Sequence, residues 1–368
     1  MIPSLYTLDA YDYELPESQI AQMPAMPRDS ARLLIWSVTG DQVEHRVFRD
    51  IPDYLKDGDL LVLNDTRVLP ARLWGNKNGS GGKVEILLLR PIEPNYCVWK
   101  ALLRPARKLS VGSEVRVGDH VLTIEDREDE GIGLVRVGKN KEDVLAFLKT
   151  HGQTPLPPYI KYIDRTDFSR LRDAYQTVFA LNDGSVAAPT ASLHFTEELL
   201  KRIADRGVEL AWVTLHVGLG TFRPVKIQDI REHRIHNEYC EVPQATEEAV
   251  TRCRLRHGRV VAAGTTVART LESAATENGA IQGGVRRGAM ETELFIYPGF
   301  DYKVVDAMIT NFHLPKSSLL MLVAAFVNSL TGGDREMTAL ATLQKTYSLA
   351  INEGYRFFSF GDAMFIKK

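Results

Sequence analysis

Residues 301–326 read DYKVVDAMITNFHLPKSSLLMLVAAF. Val304, Val305, Met308 and Ile309 follow the pattern of a buried strand, and a long apolar run of helical length begins near Ser318. Between the two stand Thr310, Asn311, Phe312, His313, Leu314, Pro315, Lys316 and Ser317, so polar groups are held at the joint of two buried elements. Open α/β proteins place ligands at such joints, because a helix start offers unpaired N–H groups and a partial positive charge. Pro315 is expected in the first helical turn, with Lys316 and Ser317 beside it as ligands for a carboxylate or phosphate. A plain capped turn accounts for the same residues.

The pattern recurs along the chain. A continuous apolar run at 59–63 ends in Asn64, Asp65, Thr66 and Arg67, and a run at 259–263 ends in Gly264, Thr265 and Thr266, followed by a helix carrying Arg269. Polar clusters at the carboxyl ends of buried strands are ligand-site candidates in an open α/β sheet, and an Asx turn is the competing reading. The strand at 210–217 carries His216 and leads to Gly218, Gly220, Thr221 and Arg223, but Pro224 and the absent third glycine spoil a dinucleotide fingerprint. Residues 175–196 are dense in small side chains, among them Gly184, Ala188 and Ala191, with Thr190 and His194 in their midst. Small residues permit close approach of backbone to ligand. Further strands are expected at 33–38, 292–297 and 355–360, and a short helix near 19–22.

From Leu69 to about Val137 the texture changes to short β-like runs at 71–74, 83–89, 97–102, 114–117, 120–125 and 133–137, separated by glycine-containing turns. Such spacing suggests a small barrel or sandwich. A short amphipathic helix at 142–148 and the proline-rich return TPLPPY at 154–159 follow. The fold class expected is α/β: a larger α/β domain formed by residues 1–63 and 154–368, with a smaller β-barrel domain, residues 64–153, inserted into it. Arg104, Arg107 and Lys108 form a basic cluster on the inserted part. Solvated surface charge and contact with a phosphate backbone both account for it.

Size and composition set bounds. At 368 residues the chain exceeds one ordinary core, and its 44% hydrophobic and 25% charged residues are those of an ordinary globular protein. With 45 Lys plus Arg against 47 Asp plus Glu, any nucleic-acid site has to be a local patch. Cys97, Cys240 and Cys253 lie far apart, which argues against a disulfide framework or thiolate zinc site and for a reducing, cytoplasmic setting. No signal-peptide pattern opens the chain, and the most apolar run, 314–327, is too short to span a bilayer, so no membrane association is expected. His233, His236 and Glu238 lack the helical spacing of zinc hydrolases, and no metal is expected.

Several stretches together resemble the S-adenosylmethionine:tRNA ribosyltransferase-isomerases of queuosine biosynthesis. They are YDYELPESQIAQ, DLLVLNDTRVLPARL, GGKVEILLL, RPARKLSVG, TPLPPYI, YQTVFA, GSVAAPTASLHFTEELL, VTLHVGLGTFRPV, GTTVARTLE, ITNFHLPKSSLLMLVAAF and YRFFSFGDAM, covering nearly the whole chain in order. Ser192 stands where glycine is expected, and Ile235 and Asn237 where Met and Ser are usual.

The resemblance implies transfer and isomerisation of the ribosyl group of S-adenosylmethionine onto 7-aminomethyl-7-deazaguanine at the tRNA wobble position. Epoxyqueuosine forms, and adenine and methionine leave. It also implies tRNA partners with a GUN anticodon (Tyr, His, Asn and Asp acceptors), no metal, and a large α/β domain with an inserted barrel; a monomer is expected. The sulfonium acidifies the adjacent 5′ carbon, so a base is needed there and an acid at the departing adenine. His194, His216 and His313 are the candidates for these catalytic roles. Asn64, Asp65, Arg67, Ala188, Thr190, Gly218, Gly220, Thr221, Thr265, Thr266, Arg269, Asn311, Lys316 and Ser317 are candidates for holding S-adenosylmethionine. Arg104, Arg107, Lys108 and Arg223 are candidates for tRNA contact. An S-adenosylmethionine-dependent tRNA methyltransferase and a non-catalytic tRNA-binding protein are the competing functions.

Overall fold

The computed structural model describes residues 4–157, 159–161, 165–218, 225–276, 282–332 and 336–368. Strands β1 (Arg32–Ser37), β2 (Gln42–Val47), β3 (Leu60–Asn64) and β4 (Thr66–Val68) come first. Six strands follow: β5 (Arg72–Lys77), β6 (Lys83–Pro91), β7 (Val98–Arg104), β8 (Glu114–Val117), β9 (His120–Arg127) and β10 (Ile132–Arg136). They close into an antiparallel barrel in the order β10-β7-β6-β5-β8-β9. Each matches one of the six short runs read from sequence. Helix α1 (Lys141–His151) packs Val144, Phe147 and Leu148 into the barrel core.

The chain then returns through α2 (Arg165–Ala174), β11 (Asn182–Ser185), α3 (Glu197–Ala204), β12 (Glu209–Leu215), β13 (Glu238–Val242), α4 (Gln244–Leu255) and β14 (Val260–Ala263). It finishes with α5 (Thr265–Ser273), β15 (Gly288–Thr292), β16 (Ala307–Asn311), α6 (Ser318–Leu330), α7 (Glu336–Asn352) and β17 (Ala363–Lys367). Among the described residues, nine strands make one sheet in the order β15-β13-β12-β3-β14-β16-β17-β1-β2. The barrel strands thus lie between β3 and β12, which are parallel neighbours in that sheet. The fold is α/β with an inserted β-barrel.

Period-two alternation divides the central strands between two faces. Leu60, Val62, Val260, Ala262 and Met308 join one core with α4, α5 and α6, whereas Leu61, Leu63, Val261, Ala263 and Ile309 join another with Phe48, Ile51 and α3. Burial on both faces explains why these strands read as continuous apolar runs. Because β12, β3, β14 and β16 are parallel, their carboxyl ends share one edge of the sheet.

Four local readings are corrected. The strand expected at 292–297 is β15, ending at Thr292; beyond it the hydroxyl of Thr292 accepts from the Leu294 amide, which turns the chain off the ladder. Residues 355–360 form no strand: Phe358 has φ +75°, a left-handed conformation that breaks extended pairing, and the last strand is β17. The expected helix near 19–22 is one 3₁₀ turn, Glu17–Gln19, ahead of Pro24. Pro315 lies before the helix, because Ser317 is the N-cap of α6 and its hydroxyl accepts from the Leu320 amide at 3.2 Å.

Candidate functional site

Four strand ends supply the polar groups. Asn64 ends β3 and ties three of them together: its amide donates to the Leu215 carbonyl at the end of β12 at 3.1 Å and to Thr266 Oγ1 on α5 at 3.2 Å. Its Oδ1 accepts from the amides of Thr66 and Leu215. Beside it, Asp65 accepts from the Thr214 hydroxyl at 2.7 Å, and Asn182 donates to that same hydroxyl oxygen at 3.0 Å. Gly264, at φ +109°, lets β14 turn directly into α5, a backbone conformation that a side chain would strain.

At β16, Asn311 accepts from the Thr190 hydroxyl at 2.8 Å and its Nδ2 lies 3.3 Å from His194 Nε2. His313 Nε2 lies 2.9 Å from Thr310 Oγ1. Ala188, Thr190, Thr265, Thr266, Asn311 and His313 line a small recess of about 50 Å³. Ser192, where glycine was expected, is fully buried and its hydroxyl donates to the Ala263 carbonyl at 3.2 Å, so the substitution is accommodated locally.

A larger cleft of about 1230 Å³ opens where barrel residues meet this sheet edge. Gly218, Asp183 and His216 line it from the sheet side, Lys100 and Tyr96 from the barrel. Thr66 Oγ1 holds His216 Nδ1 at 2.7 Å, and the imidazole lies on the Tyr239 ring, with centroids 5.4 Å apart and planes 20° apart. Gly184 passes so close that a Cβ there would stand 2.5 Å from His216 Nε2. The Gly184 backbone therefore packs over the face of the imidazole, which only a residue without a side chain permits. Across the cleft the Tyr96 hydroxyl donates to the Asp183 carbonyl at 3.1 Å, and the Lys141 ammonium sits 4.5 Å over the Tyr96 ring.

The three candidate histidines line three different cavities: His313 the recess, His216 the cleft, and His194 a small pocket beside Arg28 on the far side of Asn311. Arg67 is exposed, donates to the Ala180 carbonyl and pairs loosely with Asp183 at 3.8 Å. Arg269 is buried in an ion pair with Glu238, away from the recess. Lys316 pairs with Asp9 at 2.9 Å and Asp12 at 3.0 Å, and Ser317 is occupied as a cap. Arg104, Arg107 and Lys108 are exposed at the end of β7 and do not line the cleft. Gly220, Thr221 and Arg223 lie outside the described residues.

Sequence reasoning missed Thr66 as the partner of His216, and Tyr239, Tyr96 and Asp183 as cleft walls. The available signal was the alternation in EYCEV, which turns Tyr239 outward while Cys240 is buried. Among the described residues no group of three His, Cys, Asp or Glu is arranged to hold a metal, and no helix is long and apolar enough to cross a membrane.

Burial lowers all three histidines from the ordinary 6.5: His194 and His216 to about 4, His313 to about 3. They are therefore neutral near pH 7. The unfolded chain binds protons more readily than the native state below pH 6.5, so acid favours unfolding. We expect each histidine to withdraw about 2 kcal/mol of stability between pH 7 and pH 5. Urea unfolding at the two pH values checks this, and an unchanged midpoint would show the rings to be solvated.

A family profile described as queuosine biosynthesis protein matches residues 8–366. The chain is 51% identical over 364 residues to the S-adenosylmethionine:tRNA ribosyltransferase-isomerase of Gloeobacter violaceus, covering 98% of this chain and 96% of that one. It is 48% identical to the protein of that name from Natranaerobius thermophilus, covering 98% and 99%. The solved S-adenosylmethionine tRNA ribosyltransferase of Thermotoga maritima superposes with a TM-score of 0.53 at 35% identity, covering 97% of this chain and 99% of that one.

Proposed function

The chain belongs to the family of queuosine biosynthesis proteins, and on that premise we propose that it is an S-adenosylmethionine:tRNA ribosyltransferase-isomerase. It transfers the ribosyl moiety of S-adenosylmethionine to 7-aminomethyl-7-deazaguanine at the tRNA wobble position and isomerises it to the epoxycyclopentanediol of epoxyqueuosine. Adenine and methionine are released. The tRNA substrates are those with a GUN anticodon, the enzyme acts in the cytoplasm as a monomer, and it uses no metal. Residues 64–153 form the inserted barrel unit, and 1–63 with 154–368 form the catalytic one.

The observation that carries the site assignment is His216, which stands in the one volume large enough for both substrates among the cavities described above. A recess of about 50 Å³ cannot admit a nucleoside. In the tautomer that donates Nδ1–H to Thr66, Nε2 carries the lone pair, the form a base needs to remove a proton from the 5′ carbon beside the sulfonium. A group kept neutral by burial is ready for that step at pH 7. The sulfonium and the aminomethyl group are cationic, and carboxylates including Asp183, Glu241 and Glu291 line the cleft. Tyr239, buttressed by His216, offers a flat face to a base withdrawn from the anticodon stack.

His313, His194, Asn311, Thr190, Thr265 and Thr266 form the polar floor that fixes the strand ends. Gly218 lines the cleft, Ala188 lines the recess, and Asn64 and Asp65 tie the end of β3 to β12.

The experiment is to incubate the protein with S-adenosylmethionine and an anticodon stem-loop carrying 7-aminomethyl-7-deazaguanine, and to assay the small molecules. Adenine and methionine in equal amounts are expected. S-adenosylhomocysteine instead would make it a methyltransferase, and stem-loop binding without turnover a binding protein.

A further inference from the structure

A second cavity, of about 660 Å³, lies on the outer side of the barrel along α1. Its aromatic wall is a cluster of three rings. His120 lies 4.6 Å from Phe147 and 5.5 Å from His151, and Phe147 lies 5.2 Å from His151. Phe147 is buried in the barrel core and anchors the cluster, while His120, at the start of β9, is exposed. Arg136 and Lys139 line the same groove, and both are exposed. Arg136 is paired with Glu125 at 2.5 Å and Asp143 accepts from the Asn140 amide at 2.7 Å, so Lys139 is the cation of the groove that has no ion pair among the described residues.

The position of the groove gives it meaning. Lys139 lines the groove and Lys141, two residues on, lines the large cleft, so both cavities take a lining residue from the start of α1. Helix α1 has 11 residues and extends about 16 Å from there. His120 alone of the three rings is exposed, and an exposed ring with a cation beside it is the equipment of a single-stranded nucleic-acid track: bases stack on rings of any identity, and cations follow the phosphates.

We infer that this groove is a second RNA contact, which holds unpaired nucleotides flanking the one inserted in the cleft. The inference rests on the tRNA reading of the cleft. It assigns to His120, His151, Arg136 and Lys139 the grip on the anticodon loop, and it separates RNA affinity from the chemistry at His216.

The test measures binding of the anticodon stem-loop by fluorescence anisotropy across a salt series, for the wild type, Lys139→Glu, Lys139→Arg and His120→Ala. Both substituted side chains are exposed, and circular dichroism checks that the fold is retained. Lys139→Glu is expected to weaken binding about five- to tenfold and to flatten the salt slope by about 0.7 for each phosphate that is no longer neutralised. His120→Ala is expected to weaken binding about fivefold or more. Lys139→Arg is expected to bind as the wild type does, and all variants are expected to keep wild-type kcat at saturating RNA.

Unchanged affinity and slope in both Lys139→Glu and His120→Ala overturns the inference, whatever the wild type catalyses. The same unchanged affinity with saturable binding of adenosine monophosphate would make the groove a mononucleotide site and also overturn it. If the wild type releases no adenine but the variants lose stem-loop affinity, the groove stands and the catalytic reading falls.

Discussion

His216→Ala lowers kcat by about 10²- to 10⁴-fold while leaving S-adenosylmethionine and stem-loop affinities within a few-fold of wild type. Among the three histidines, His194 meets Asn311 and His313 meets Thr310 through Nε2, whereas His216 is held at Nδ1 by Thr66 and lines the large cleft. Loss of a positioned base removes an interaction made in the transition state, so kcat and kcat/KM fall together. Thr66→Val, which leaves the ring but frees its orientation, is expected to lose a smaller part of the rate. Because burial holds His216 at about 4, the base is unprotonated well below neutrality, and wild-type kcat should show no inflection from this group between pH 6 and 8. Single-turnover rates for the variants check both points. A His216→Ala enzyme within tenfold of wild type would move the base elsewhere.

Glu238→Ala destabilises the protein by about 3–5 kcal/mol. Glu238 and Arg269 are both buried, at 2% and 5% side-chain exposure, so removal of the carboxylate strands a guanidinium in the interior. Arg269 has no second carboxylate among the described residues; its Nε donates to the Leu294 carbonyl at 3.2 Å, and its Nη2 is buried without a partner there. Glu238 also accepts from the Gly218 amide at 2.7 Å, and so holds the chain just beyond His216. A loss of turnover is expected alongside the loss of stability, through the displaced strand end. Replacing both charges together, Glu238→Leu with Arg269→Met, should recover most of the stability, because the larger penalty belongs to the unpaired charge. Urea midpoints of the single and double variants measure this. A single variant as stable as wild type would show the pair to be solvated.

The parts legible in the sequence are those fixed by local pattern. Six short runs with glycine turns gave all six barrel strands, and the apolar runs at 59–63 and 259–263 and the strand pattern of Val304, Val305, Met308 and Ile309 gave the central strands β3, β14 and β16. Polar residues at strand ends pointed to one sheet edge, since parallel strands bring their carboxyl ends together. Partnerships across the fold were not legible. Lys316 looks like a free cation beside a helix start, but Asp9 and Asp12 of the N-terminal segment occupy it. Arg269 looks like a carboxylate ligand, but β13 brings Glu238 against it. Nothing local to His194, His216 or His313 tells which cavity each faces. Tyr239 escaped notice because an outward position on a strand looks like ordinary surface until a cleft is built over it.

The most direct measurement follows carbon from the ribosyl group of S-adenosylmethionine into RNA. With all five ribosyl carbons labelled and a stem-loop bearing 7-aminomethyl-7-deazaguanine, digestion and mass spectrometry of the wobble nucleoside should find every labelled carbon in a single epoxycyclopentanediol adduct, with unlabelled adenine and methionine in solution. A nucleoside without labelled carbon, or one heavier by a methyl group with S-adenosylhomocysteine released, would contradict the account.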